Sequence, residues 1–93
     1  MNKKKLRKAR RKIDQIDNKI FRLIKKRTQV VKHMMRLKKF KNQIVDRKRI
    51  KEILRNIKKK SIKEGVDSKT TNQIWKSMIW SYVDLQRRVF GKK

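Results

Sequence analysis

The 93-residue chain carries 33 Lys and Arg against seven Asp and Glu, a formal charge of +26, far more than solubility needs and enough to attract nucleic acid, anionic membrane or anionic metabolites without choosing among them. With no cysteine it can build neither disulfides nor thiolate metal sites. The basic start MNKKKLRKARRK leads into neither a continuous apolar segment nor a small-residue cleavage site, and nowhere do eighteen apolar residues run together, so a soluble, cytoplasmic protein without a membrane span is expected.

From Leu6 to about Phe40 the residues Ile13, Ile16, Ile20, Ile24, Val31 and Met34 recur at three- and four-residue steps, with Leu23, Val30 and Leu37 widening the stripe. This predicts one long helix. At about 1.5 Å per residue it would run about 50 Å, more than a monomeric chain of this size can cover, so it needs a partner helix from this chain or another. The polar interval KKFKNQIVD follows, with Asn42 and Gln43 as turn residues. Asp46 then caps or begins a second helix carrying Ile50, Ile53, Leu54, Ile57 and Ile62. Gly65 suits its C-cap, and Asp67 or Ser68 the start of a third helix, roughly Lys69 to Phe90, presenting Ile74, Trp75, Met78, Ile79, Tyr82, Leu85 and Phe90. The expected fold is therefore all-α, with three helices in a single domain spanning 1–93.

The charge is concentrated: positions 1–63 hold 27 Lys and Arg with four acids, and 64–93 hold six with three. A genome of biased base composition would equally enrich Lys, Ile and Asn. Some cations nevertheless lie on the apolar side. Arg27 falls three residues after Ile24 and four before Val31, and Lys38, eleven residues on, is rotated by only about 20° at about 100° per residue. Two such side chains leaning together could grasp the ends of one small dianion. Arg10, also near the stripe, lies about 25 Å before Arg27 along the axis, so it could serve the same ligand only from an antiparallel neighbour. Arg49 sits beside Ile50 and Ile53 on helix two, and Gln86 follows Tyr82 by one turn on helix three. A neutral amide there can orient an oxygen without adding charge. Taken singly, each cation is most simply a snorkelling side chain over apolar surface.

Other chemistry finds little support. His33 is the sole histidine, without a carboxylate pair or cysteine to make a metal site. Ser61, Ser68, Ser77 and Ser81 lack a base at recognisable spacing, and no glycine-rich phosphate loop is present. Asp14 and Asp17 on a basic helix read as ion-pair partners. Trp75, Trp80 and Tyr82 most simply pack helix three, though Tyr82 could line a pocket.

In order and spacing, RRKIDQIDNKIFRLIKKR, Lys38, DRKRIKEIL, EGVDS and IWKSMIWSYVDLQ resemble the all-helical chorismate mutase family, including its relative the isochorismate pyruvate lyase, over about residues 6–90. The resemblance implies three-helix chains intertwined as a homodimer, with two active sites each completed by an arginine of the other chain. Arg10 matches that crossing arginine. Arg27 matches the arginine on a substrate carboxylate, and Lys38 the lysine on a carboxylate and the ether oxygen. Asp46 matches a carboxylate near the substrate hydroxyl, Arg49 the second-helix arginine that helps hold the site, and Gln86 the donor to the ether oxygen. Two positions depart from the best-known bacterial mutases: Ile50 stands where a glutamate follows the second-helix arginine, and Tyr82 where a serine often precedes the glutamine by four. The segment between Lys38 and Arg49 is also one residue short. These features resemble the lyase side of the family.

The implied reaction, chorismate to prephenate in the shikimate pathway to aromatic amino acids, is an intramolecular pericyclic step that needs no nucleophile, metal or redox cofactor. A site of Arg, Lys and Gln fits it. The alternative within the family is lysis of isochorismate to salicylate and pyruvate. A rival of another class is a small basic nucleic-acid-binding protein, argued from +26 alone; no helix-turn-helix is recognisable, and nucleic-acid contact is expected to be non-specific at most. A catalytically weakened dimer is the third possibility.

Overall fold

A computed structural model of the chain describes residues 2–37 and 44–91. The described residues form α1 (Lys3–Leu37), α2 (Arg47–Glu64) and α3 (Ser68–Gly91). The three expected helices are present, and the fold is all-α. None of these helices is long and apolar enough to cross a membrane. The internal contacts divide the chain into two units, Met1–His33 and Met34–Lys93, taken separately below.

α1 begins three residues before the first apolar position of its stripe because Asn2 caps it: the Asn2 side-chain oxygen accepts from the Lys5 backbone N–H at 3.1 Å, satisfying one of the donors that a helix start leaves open. In the first unit α1 keeps its apolar stripe open. Ile13, Ile16, Ile20 and Ile24 are 56, 50, 47 and 41% exposed. Asn42 and Gln43, the expected turn residues, lie outside the described residues, as does Phe40, where the first helix was expected to end.

The second unit is built on a helical hairpin. Asp46 is extended (φ −109°, ψ 93°) and accepts the Arg49 backbone N–H through Oδ1 at 3.0 Å, so it caps α2 as expected. Gly65 ends α2 with φ +69°, a left-handed conformation that an L side chain resists. Its N–H and that of Val66 close onto the Ile62 and Ser61 carbonyls at 3.4 and 2.8 Å. Of the two residues that could cap α3, Asp67 does so, taking the Thr70 backbone N–H and hydroxyl on Oδ2 at 2.9 and 2.6 Å. Those two bonds hold the Asp67 carboxyl below its ordinary value.

α2 and α3 pack against each other around Ile79, Tyr82 and Val83, all buried, with Ile50, Ile53, Leu54 and Ile57 half-buried on α2. Met35 and Ile44 are the other buried apolar residues of this unit. Three expected core positions are instead open: Ile62 is 67%, Ile74 53% and Trp80 43% exposed. The helical period explains each, since Ile62 is five residues past Ile57 and Ile74 five before Ile79, a turn of about 140° off the packed face, and Trp80 is about 100° from Ile79.

Candidate active site

Ser61 sets the register of the hairpin. It is buried, donates to the Ile57 carbonyl at 2.7 Å and shares a 2.6 Å hydrogen bond with the Thr71 hydroxyl of α3. Fifteen residues back along α2 and fifteen forward along α3 cover the same rise, about 22 Å. That returns Gln86 to the level of Asp46, and Tyr82 to that of Ile50. Four of the sequence-derived residues thus fall at one end of the hairpin, the end away from Gly65.

Gln86 is buried although polar, at 7% exposure. Its Nε2 donates to the Tyr82 backbone carbonyl at 3.3 Å, which ties the amide to its own helix and fixes which way it faces. Tyr82 is also buried, as a residue that packs α3 should be. A carboxylate at position 86 would forfeit that donor; an amide keeps two N–H groups and one oxygen.

At the start of α2, the Asp46 carboxylate is engaged as a cap through one oxygen. The Arg49 guanidinium is exposed and pairs with Glu52 one turn on, Nη1 to Oε1 at 2.6 Å, so the second unit by itself holds it at the surface and not at the inner edge of the α2 stripe. Glu52 was not anticipated as its partner, although the three-residue spacing was a readable signal. Because both side chains are more than half exposed, the pair adds about 0–1 kcal/mol to stability and leaves Arg49 available to a stronger anion.

In the first unit, Arg27 is half-buried within the α1 stripe, as its spacing required, while Arg10 is exposed. Both lie on one straight helix about 25 Å apart, so a single small ligand cannot engage both from the same copy. Lys38 lies outside the described residues. Among the described residues, no group of three or more His, Cys, Asp or Glu is placed to hold a metal ion. An open cleft beside the Gly65 turn, lined by Ile57, Ser61, Val66, Thr71 and Trp75 among others, contains none of the seven sequence-derived site residues.

The Asp46 cap gives a direct test of local stability. Asp46→Ala is expected to lower the unfolding free energy by about 1 kcal/mol in a urea titration, while Asp46→Ser, which keeps a capping oxygen, should remain within a few tenths. Equal losses would show that the carboxylate stabilises α2 by something other than the cap.

The chemistry available is therefore that of anion clamping and neutral hydrogen bonding: arginines on α1 and α2, a buried amide on α3, a phenol one turn before it. No curated protein and no solved structure matches the chain. The family model Chorismate mutase type II matches residues 9–87, a span that takes in α2 whole, most of α1 and α3, and every one of these residues, and the chain belongs to that family.

Proposed function

We propose that the chain performs its chorismate mutase chemistry as a homodimer of intertwined chains, with Arg27, Lys38, Asp46, Arg49, Tyr82 and Gln86 of one copy and Arg10 of the other forming each site. The observation that carries this reading is the open stripe of α1. Covering one half-exposed isoleucine contributes roughly 2 kcal/mol at about 25 cal/mol per Å², so Ile13, Ile16, Ile20 and Ile24 on two copies amount to more than 10 kcal/mol. That is comparable with the whole stability of a small domain. A second α1 laid on this stripe supplies the missing cover, and, if antiparallel, brings its Arg10 toward Arg27.

In such a site the two arginines bind the two carboxylates of chorismate and favour the compact conformer in which the reacting carbons approach, which is the orientation part of the rate gain. As the carbon–oxygen bond breaks, negative charge grows on the ether oxygen. Lys38 and an N–H of Gln86 meet it there, and they act more strongly on the transition state than on bound substrate. Asp46 and Arg49 frame the ring. The reaction consumes no proton, electron or water, so nothing beyond these side chains is required.

The test is to incubate the purified protein separately with chorismate and isochorismate and identify the products. Prephenate from chorismate, without appreciable salicylate from isochorismate, is the expected outcome; salicylate as the main product would move the assignment to the lyase. Sedimentation at micromolar concentration should find a dimer, and a folded, active monomer would sink the shared-site reading.

A further inference from the structure

The first three turns of α1 carry a charge arrangement of which the proposed catalytic site uses Arg10 alone. Between Lys3 and Lys12, eight of ten residues are cationic: Lys3, Lys4, Lys5, Arg7, Lys8, Arg10, Arg11 and Lys12. All eight are exposed, and no acid occurs before Asp14. The helix opens without an acidic residue in its first turn, so the cations crowd the end where the helix dipole is already positive. Lys3 with Arg7, Lys4 with Lys8, Arg7 with Arg11 and Lys8 with Lys12 are like charges at four-residue spacing, which repel. α2 is different, for it interleaves Glu52 and Glu64 with its lysines, and Arg49 is paired.

The direction of this charge matters as much as its density. At about 100° per residue, Lys4, Arg7, Lys8 and Arg11 fall on the arc opposite the Ile13–Ile24 stripe, whereas Leu6 and Ala9 lie on the stripe side. Covering the stripe with a second copy leaves that arc facing outward. We infer that it is a docking surface for the phosphate backbone of nucleic acid, engaged without regard to base sequence. Phosphates would relieve both the like-charge repulsion and the unopposed dipole. An acidic protein is the weaker candidate because the arc offers no apolar or aromatic centre, and lysine is depleted where folded proteins meet.

The experiment uses the full chain and a fluorescent duplex of arbitrary sequence, with affinity followed by anisotropy over a salt series. The four-site variant Lys4→Gln, Arg7→Gln, Lys8→Gln, Arg11→Gln keeps good helix formers and touches no residue assigned to the catalytic site. An equal-charge control carries Lys51→Gln, Lys58→Gln, Lys59→Gln and Lys63→Gln on α2. The α1 variant is expected to bind at least tenfold more weakly at about 0.1 M salt, with the slope of log K against log salt reduced by about three units, while its chorismate turnover is unchanged. The α2 control should lose clearly less affinity and slope. Equal losses in the two variants would mean that net charge, and not this surface, does the binding. No loss in the α1 variant, or binding to polyglutamate as tight as to the duplex, would overturn the inference equally.

Discussion

Gln86→Leu is expected to lower kcat by about 10²–10³-fold, the cost of losing one preorganised donor to a developing oxyanion, roughly 3–4 kcal/mol. Leucine keeps approximately the same bulk in a position that is 7% exposed, so the change removes the amide without opening a large void. It also removes the bond from Nε2 to the Tyr82 carbonyl, but that carbonyl lies within α3 and retains its helical role. The split between kinetic constants is the diagnostic. If Gln86 acts on charge that appears only as the ether bond breaks, kcat falls steeply and KM moves little, because the arginines still bind the carboxylates of the ground state. A general loosening of the site would raise KM as well.

Gln86→Glu sharpens the same experiment through pH. A carboxylate here repels the ether oxygen, so activity near neutral pH should be lower than in Gln86→Leu. Burial raises the carboxyl's pKa and neighbouring cations lower it; once the pH falls below the resulting value the acid is protonated, can donate, and activity should partly return. Activity that declines steadily toward acid in Gln86→Glu, together with unchanged kcat in a stable, dimeric Gln86→Leu protein, would remove Gln86 from the chemistry and leave Lys38 to carry it.

The helices were legible because their punctuation is local. Asp46 three residues before the Arg49 backbone N–H, Gly65 at the only left-handed position among the described residues, and Asp67 before Thr70 are caps that depend on a few neighbouring atoms. Arg27 was legible for the same reason, since a cation inside a helical stripe can be read from spacing alone. What depends on how helices meet was not. The Ser61–Thr71 bond that sets the hairpin register needs both helices in place, and Trp80, an aromatic residue expected inside, is turned outward by a period that Ile79 and Tyr82 win. Arg49 shows a middle case: its partner Glu52 was readable at three-residue spacing, but its exposure was not. For α1 the sequence contains the stripe and its length, while the surface that covers it is part of the dimer proposed above.

Mixing two inactive variants should therefore regenerate activity, and this is the strongest test of a site shared between chains. In the proposed site, removing either Arg10 or Arg27 as alanine would strip one carboxylate of its partner, a loss of roughly 2–5 kcal/mol for a desolvated charged pair, so each homodimer should fall by about 10²-fold or more in kcat/KM. Now let Arg10→Ala and Arg27→Ala chains be unfolded together in equal amounts and refolded. Half of the dimers should be mixed, by simple pairing. In a mixed dimer, the site centred on the Arg10→Ala chain keeps its own Arg27 and receives an intact Arg10 from its partner, whereas the other site lacks both. A two-fold dimer then has one complete site in every mixed pair, so about one quarter of the wild-type activity should return. The outcome discriminates because a site built wholly within one chain would be defective in every chain present, and mixing could then give no more than the mean of the two variants. Activity at that mean, in a sample whose mixed dimers have been verified by mass, would place Arg10 outside the site that Arg27 serves.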